Sequence, residues 1–474
     1  MFMQNKHPQI ALGLGLLLSA LVQAAPIATI EVTDGIVTVS RVSGKRSIVA
    51  AGSTLEEGDT LTTEKDSYAR LQFTDGSEVA VRPATVLAVQ RYHFESAQPA
   101  QDNLLLRIVK GGMRTVTGLI GKRGNEDAYR VQGATATIGI RGTEYLARLC
   151  EGECAADPQS SFAARKVLNN APQAVSRKQL APPPLLVVAR LVDLLGSIRV
   201  RAGDKTRLAS TGETLYNGET LLVSNPGSAS LVFNDETRVV LTPGSEFQLS
   251  SVRYHPQTPE KGNVATTLLK GGMRMVTGLL GKRQPQNVTV DTLVATIGIR
   301  GTNFDLWCAP SGNSDPENAD LSATEPVPCD QALYASTREG SIEMQSGAHK
   351  LLVAAGKAAY VDSPGGLPGL LKTVPVFLKN FSVPQPEDIP LDMPQLFGVD
   401  GTYQNEAGLY VAVKEGKVAL TQASGETLLL QTGEVGYANA GGEKLLRLIN
   451  LPGFIQSDAY LRELRVDPAT CRAQ

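Results

Sequence analysis

Apolar and polar residues alternate with a period of two along much of the chain, the pattern of strands with one buried face. Val37 and Val39 belong to such a run, and segment 71–81 predicts two strands around Asp75-Gly76. Asp-Gly favours a two-residue hairpin because both central residues can take positive φ. Segment 411–420 predicts the same arrangement around Glu415-Gly416. Turn signals recur roughly every eight to twelve residues, as in sandwich-type folds, so we predict an all-β chain.

Helical patterns are rare. Outside segment 162–179, no convincing amphipathic helix exceeds about twelve residues. The clearest apolar run extends from Ile10 to Val22, and Val22-Gln23-Ala24 offers small residues at the positions that a signal peptidase reads. This is typical of a secretory signal peptide, residues 1–24, cleaved after Ala24. An uncleaved anchor helix is the alternative, but the run is shorter than the roughly 20 residues that span a bilayer. We expect the processed chain not to span a membrane.

Long internal repeats determine the organisation of the chain. The segment Lys110–Arg123, with the sequence KGGMRTVTGLIGKR, recurs as Lys270–Arg283 with two substitutions. The segment ATIGIRGT at Ala136–Thr143 recurs unchanged at Ala295–Thr302. Both pairs keep a separation of about 160 residues. We name the two units head one and head two.

A shorter repeat follows the heads. Leu333-Tyr334 and Glu339-Gly340 match Leu409-Tyr410 and Glu415-Gly416, which defines tail one and tail two. Because each head needs a tail, we hypothesise a nested arrangement in which tail two packs onto head one. A separate third mini-domain is the alternative. The predicted boundaries are a signal peptide at 1–24, head one at 27–154, a Pro-rich linker at 155–184, head two with its tail at 185–362, a Pro/Gly-rich linker at 363–400, and a β-rich C-terminal tail at 401–474.

The order of the head motifs resembles that of a known family. Each head carries Gly-x-x-Leu-x-x-Gly-[Asp/Glu]-Thr, then Phe-x-Asp, then Gly-Gly-Met-Arg, then Ala-Thr-Ile-Gly-Ile-Arg-Gly-Thr. This resembles the FecR domain, the extracytoplasmic part of iron-dicitrate transport regulators. The resemblance implies two tandem all-β domains, of sandwich or roll type, that bind or signal and do not catalyse. Those regulators also have a cytoplasmic segment and a membrane helix, which we expect to be lacking here.

Charge and cysteine content narrow the functional class. The 474 residues carry a formal charge of -2, with an isoelectric point near 6.2, so we expect no general attraction to nucleic acid. Five cysteines suit an oxidising compartment, and we predict the disulfides Cys150–Cys154 and Cys308–Cys329, with Cys471 left over. Zinc is the competing interpretation, but none of the four histidines lies near either pair. The predicted location is periplasmic or secreted.

A repeated basic set is the candidate binding face, for an anion or a glycan. Its members are Arg114, Lys122, Arg123, Arg141, Arg274, Lys282, Arg283 and Arg300. In the structural alternative, Arg141 and Arg300 pair with carboxylates and hold strand ends, while the lysines are solvated. A phosphate-binding loop is not predicted, because the Gly-Lys pair lacks the correctly spaced glycine and the following Ser or Thr.

We find no constellation for catalysis, a cofactor or a metal, so we predict a protein that is not an enzyme. The predicted function is a ligand- or protein-binding module in envelope sensing or signalling. The alternative is a structural scaffold of the cell envelope or surface. The expected partner is an envelope protein or a glycan of unknown identity.

Overall fold

A computed structural model describes residues 25–123, 127–152, 154, 187–255, 258–313, 315–319, 321, 325–379, 383–399, 403, 406–456 and 458. The predicted signal peptide, the predicted linker at 155–184, which includes segment 162–179, and Cys471 lie outside these residues. The described residues form two large β-sheets with only short helices, which confirms the all-β prediction.

Head one contains eleven strands. They are β1 (Ala28–Asp34), β2 (Val37–Ser40), β3 (Arg46–Ile48), β4 (Thr54–Leu55), β5 (Thr60–Thr63), β6 (Tyr68–Phe73), β7 (Glu78–Val81), β8 (Thr85–His93), β9 (Asn103–Val116), β10 (Tyr129–Gln132) and β11 (Ala136–Cys150).

Head two repeats this order, with the strand equivalent to β9 divided in two. Its strands are β12 (Ala189–Leu195), β13 (Ile198–Ala202), β14 (Lys205–Leu208), β15 (Thr214–Leu215), β16 (Thr220–Val223), β17 (Ser228–Phe233), β18 (Arg238–Leu241), β19 (Glu246–Arg253), β20 (Asn263–Lys270), β21 (Gly272–Val276), β22 (Val288–Asp291) and β23 (Thr296–Ala309). Helix α1 (Leu279–Arg283) follows β21.

The tails contribute the remaining strands. Tail one has β24 (Ala332–Ser346), β25 (His349–Ala354), β26 (Lys357–Val361) and β27 (Gly369–Leu371), and tail two has β28 (Gly408–Gln422), β29 (Thr427–Gln431), β30 (Val435–Asn439) and β31 (Leu445–Leu448). The other short helices are α2 (Val376–Lys379), α3 (Met393–Phe397) and α4 (Gly453–Gln456), with 3-10 turns at Pro99–Gln101, Pro259–Lys261, Pro285–Asn287 and Pro386–Asp388.

Tail two belongs to the sheet of head one. Strand β28 pairs antiparallel with β11 from Ala136↔Gln422 to Cys150↔Gly408. Tail one pairs with head two in the same way, β24 against β23. This is the strand pairing that the nested arrangement requires. The domain boundaries stay a prediction from the sequence.

Each head and its tail share one apolar core. Ile138 and Ile140 of β11 are fully buried together with Val418 and Leu420 of β28. Alternate residues of both strands point inward, as the period-two pattern predicts. In the other sheet, β23 and β24 supply the equivalent buried side chains. A head without its tail would therefore expose one side of its core.

Two of the predicted turns differ in the structure. Strands β6 and β7 do form a hairpin, but only Gly76 has positive φ (+87°), and Phe73 N donates to Ser77 O at 2.8 Å. The loop is therefore a three-residue connection, not the two-residue turn expected. The predicted turn at Glu415-Gly416 is wrong. Strand β28 runs through it with a register shift, because it follows the irregularity of β11 at the same place.

The segment predicted as a linker at 363–400 contains packed elements. We name residues 383–399 the strap. Its apolar side chains cover an outer surface of head two, with Ile389 buried against Val232 and Val240. Leu396 and Phe397 of α3 pack against the same cluster. The strap lies on head two and leads directly into tail two.

Candidate ligand-binding groove

A tight turn follows the Gly-Gly-Met-Arg segment in each head, and an aspartate holds it. In head one, Leu119 N donates to the backbone O of Asp75 at 2.8 Å, and Ile120 N donates to the Asp75 carboxylate at 3.2 Å. In head two, Leu279 N donates to the backbone O of Asp235 at 2.7 Å. These are backbone N–H groups that a phosphate-binding loop would direct at its ligand. The aspartates use them, so the turn is structural.

The Arg-Gly-Thr segment forms a β-bulge beside this turn. Gly142 has φ +57° and Gly301 has φ +64°, a left-handed conformation that glycine adopts without steric cost. Thr143 N donates to Thr117 Oγ1 at 2.8 Å, and the equivalent bond in head two measures 2.9 Å. The threonine of each bulge is thereby tied to the strand that precedes the turn.

The bulge and the turn bring basic side chains together. A β-carbon built on Gly142 would lie 3.5 Å from Lys122 Cγ, and Arg141 directly precedes Gly142. Lys122 and Arg141 therefore share one edge of head one. In head two, Lys282 and Arg300 line one groove. All four side chains are exposed.

The groove of head two is open and polar. Its volume is about 600 Å³. It is lined by Gly281, Lys282, Pro285, Gln286, Thr289, Thr296, Gly298, Ile299, Arg300, Gly301, Glu343 and Gln345. Three glycines keep its walls low, so a ligand can approach the backbone and the two cationic side chains together.

Glu343 partly offsets the positive charge of the groove. Its carboxylate lies 2.9 Å from Lys350 Nζ and 3.7 Å from Arg300 Nη2. The hydrogen bond from Lys350 holds the pKa of Glu343 below its usual range. Because Lys350 is the closer partner, Arg300 is only loosely paired, and its side chain remains 63% exposed. Arg300 can therefore donate to a ligand.

Glu343 and Gln345 were not among the predicted site residues. Both come from tail one, through the pairing of β24 with β23. Their alternate spacing after Ser341 would mark them as neighbours on one face of a strand. Sequence alone did not show which strand lies beside them, so they were missed.

Head one has different tail residues at the corresponding edge. Ala419 and Thr421 stand where head two has the acidic and amide side chains. Lys417 lies directly opposite Arg141, and its Nζ is 3.0 Å from Glu213 of head two. The two edges therefore share their basic residues but differ in what surrounds them.

Two members of the repeated basic set lie inside the protein. Arg114 binds Glu144, with Nη2 to Oε1 at 2.6 Å, and Arg274 binds Asp305, with Nε to Oδ1 at 2.8 Å. The side chain of Arg114 is 10% exposed and that of Arg274 only 1%. Neither arginine can belong to an exposed binding face, because both are buried in ion pairs between neighbouring strands.

The remaining arginines also differ. Arg123 is held by Asp102 at 2.7 Å and lies over the ring of Phe94. Arg283, its equivalent, is exposed. The exposed cations common to both heads are thus the lysine of the turn and the arginine of the bulge.

Both predicted cysteine pairs are at disulfide distance. The Cα atoms of Cys150 and Cys154 are 5.6 Å apart, and those of Cys308 and Cys329 are 4.9 Å apart. Cys150 is the last residue of β11 and Cys308 is the last but one of β23, so each pair closes the end of the strand that pairs with a tail. Two such bonds fit a location outside the cytoplasm.

Other kinds of site were sought in the same residues. No group of three His, Cys, Asp or Glu side chains in the described part of the chain is placed to hold a metal ion. Across the described ranges, no helix is both long and apolar enough to cross a membrane.

Two all-β units, each built from a head and a tail around the same bulged strand, define a duplicated β-domain protein. The family model described as "FecR protein" matches residues 59–159 and 219–325. The chain therefore carries two tandem FecR-type domains, as its motifs predict. No curated protein matches the chain.

Solved structures show limited likeness. Two crystal structures of a proposed anti-sigma factor from Parabacteroides distasonis match with 13% identity and a TM-score of 0.23. The match covers 32% of this chain and 59% of the other, less than two thirds of its length. A structure titled "Cell surface anchoring domain" matches with 25% identity and a TM-score of 0.13, over 13% of this chain and 83% of the other.

Proposed function

We propose that this chain is an exported, non-catalytic FecR-domain protein that binds a polar ligand in envelope sensing. The observation that carries the proposal is the groove of head two, where Lys282 and Arg300 converge beside a low glycine wall. The two FecR matches support a signalling role, because the FecR domain is the extracytoplasmic part of transport regulators. The two cysteine pairs support export.

An acidic glycan segment fits the groove best. Lys282 and Arg300 provide donors for a carboxylate or sulfate, and Gln286 and Gln345 provide both donors and acceptors for hydroxyl groups. Glu343 would accept from a sugar hydroxyl and would disfavour a ligand with dense negative charge. An open groove of about 600 Å³ has room for a few sugar units.

The test is a binding titration with the mature chain, residues 25–474. The probe is a tetrasaccharide of a uronic acid, followed by calorimetry, and the neutral tetrasaccharide of the parent sugar is the comparison ligand. We expect saturable binding of the acidic probe. Arg300→Gln and Lys282→Gln should each weaken it about tenfold, since each removes a charge-assisted hydrogen bond.

The matched control is Lys205→Gln, an exposed lysine on the edge strand β14, which lies across the sheet from the groove. The affinity of this variant for the acidic probe should equal that of the parent chain. Equal losses in all three variants would indicate non-specific attraction and contradict the groove. No binding of the acidic probe would contradict the proposed ligand class.

A structural scaffold is the second candidate function. One observation favours it: tail two docks against head two through buried polar contacts, which joins the two FecR-type domains. A scaffold would use such contacts to set the spacing of envelope components.

A further inference from the structure

The interface between the two domains joins two different kinds of surface, one from a tail and one from a head. Tail two, which completes head one, contacts the β12–β15 edge of head two. Arg190 of β12 forms an ion pair with Glu434. Thr214 Oγ1 donates to Gln431 Oε1 at 2.9 Å, and the hydroxyl of Tyr216 donates to the backbone of tail two. A tail face of one domain thus meets a head face of the other.

These contacts remove both faces from solvent. On the head face, Arg190 is 4% exposed and Thr214 is 1% exposed. On the tail face, Gln431 and Glu434 are similarly buried. The interface is built from buried polar groups that satisfy each other, which gives it a defined register.

Because the chain is duplicated, a second face of each kind exists. The pairing Ala28↔Leu55 corresponds to Ala189↔Leu215, so Thr29 and Thr54 occupy the places of Arg190 and Thr214. Glu56 occupies the place of Tyr216. We name Thr29, Thr54 and Glu56 the free head face.

The tails correspond in the same way, with Tyr334↔Tyr360 matching Tyr410↔Tyr437. Lys357 therefore takes the place of Glu434, and Leu370 takes that of Arg447. Leu352 takes the place of Leu429, whose backbone O accepts from Arg447. We name Leu352, Lys357 and Leu370 the free tail face. It belongs to tail one.

Both free faces are open to solvent. Thr29 is exposed, and Thr54 and Glu56 are half-buried. On the free tail face Lys357 is exposed, Leu352 is 54% exposed and Leu370 is 52% exposed. The two leucines expose apolar surface that a second copy of the chain would cover.

The free faces carry opposite charges. The internal interface contains ion pairs of both polarities, Arg190 with Glu434 and Lys417 with Glu213. On the free head face, the half-buried Glu56 lies 3.7 Å from Arg41 Nη1, and the free tail face carries the exposed Lys357. Attraction between Glu56 and Lys357 therefore favours contact between the two free faces.

We propose that copies of this chain associate head to tail, with the free tail face of one copy on the free head face of the next. The contact joins two different surfaces, so it does not close on itself in a pair and leaves one free face at each end. Assembly then continues into a linear chain in which every intermolecular junction places a tail face on a head face, as the internal interface does, with different side chains.

The intermolecular contact should be weaker than the internal one. Within the chain, the strap adds to the interface, since Arg190 Nε donates to Leu396 O at 2.8 Å. Head one has polar Gln72 at the place of Val232, which packs against the strap in head two. Association should therefore depend on concentration.

Sedimentation velocity of the mature chain over a range of concentrations tests this proposal. We expect the weight-average mass to rise with concentration beyond that of two chains. Lys357→Glu should weaken association about tenfold, because it places an acid opposite Glu56. Leu370→Asp should weaken it at least as much. An equimolar mixture of Lys357→Glu with Glu56→Lys should restore association through the reversed pair.

Lys261→Glu is the control, an exposed lysine on a 3-10 turn away from both faces. Thermal unfolding of every variant establishes that the folds are intact. A chain that stays monomeric at all concentrations overturns the proposal, and so does a mass that stops at two chains. Association that is unchanged in both Lys357→Glu and Leu370→Asp overturns it as well.

Discussion

Arg114 and Arg274 occupy equivalent positions in the two heads, yet they meet carboxylates that do not correspond. Asp305 lies directly opposite Arg274 across the strands, whereas Leu146 lies opposite Arg114 and the diagonal Glu144 binds it instead. A buried guanidinium needs a carboxylate within reach, and more than one backbone position can supply it. The buried arginine therefore occupies the same position in both heads, whereas the carboxylate that binds it comes from a different position.

Asp305 gives the stability of head two a pH dependence. Burial raises the pKa of its carboxyl from 3.8 to about 6, and the Arg274 guanidinium offsets only part of that rise. The folded chain then binds the proton more tightly than the unfolded chain, so this contribution is complete below pH 3.8 and is lost as the pH rises through about 6. The free energy of unfolding of Asp305→Asn, relative to the parent chain, should increase by up to ~3 kcal/mol between about pH 4 and 7.

Urea unfolding at a series of pH values measures this difference. Asp204→Asn, which changes an exposed carboxyl in the β13–β14 turn, is the control and should show a constant difference. A constant difference for Asp305→Asn would contradict the assignment.

Gly301 and Gly298 lie on the same strand but differ in conformation. Gly301 has φ +64°, so an alanine there is strained and should cost about 1–2 kcal/mol. At Gly298 the nearest atoms to an added β-carbon lie at 3.8 Å, so Gly298→Ala should leave stability nearly unchanged. Thermal unfolding of both variants distinguishes them, and equal melting temperatures would mean that the bulge tolerates a side chain.

The strand pattern predicts the elements well where a hairpin is local and poorly where a partner is distant. Strands β6 and β7 follow from the alternation around Asp75-Gly76, because the hairpin closes within a few residues. The same pattern around Glu415-Gly416 belongs to a continuous bulged strand. A glycine with positive φ serves a turn and a bulge equally, and only the neighbouring strand β11 decides between them.

Removal of residues 398–474 should destabilise head one selectively, because β28 covers the side of the core that β11 borders. Hydrogen exchange measures this directly. We expect protection to fall throughout β8, β9 and β11 and to persist in β23, which keeps its tail-one partner β24. If head one keeps its protection and only signals from the removed segment disappear, tail two does not complete head one.

The two cysteine pairs predict the thiol content of the chain. Four of the five cysteines are joined, so thiol titration under denaturing, non-reducing conditions should give one free thiol per chain. The same titration after reduction should give five. Three or five free thiols without reduction would show that at least one pair is not joined. One of the observations that support export would then be lost.

The two FecR-type domains form one assembly because tail two lies between head one and head two. Sequence repetition predicts two similar units but not their contact. The positions that match Arg190 and Glu434 are Thr29 and Lys357, which cannot form the same ion pair and so do not mark the two residues as partners. The candidate groove was predicted in part. Its cations lie in the repeated motifs, while Glu343 depends on a strand pairing that sequence alone leaves open.

Arg190→Ala should separate the unfolding of the two domains. The side chain bridges the strap and Glu434, and its loss leaves a buried carboxylate with one partner fewer. We expect calorimetry to resolve two transitions where the parent chain has one. Arg199→Ala changes an exposed arginine on β13, which follows β12 in the sequence but does not pair with it, and is the control. A single unshifted transition in Arg190→Ala would show that this contact does not couple the domains.

The nested pairing of β11 with β28 also sets an order of events during synthesis. More than half of the chain separates Cys150 from Gly408, so head one leaves the ribosome long before its partner strand. Head two and tail one are contiguous and can fold first. During that interval β11 has an unpaired edge, and β24, a close relative of β28, appears before β28 does. Rapid capture of β24 by β23 would then protect the nascent chain from pairing the wrong head and tail.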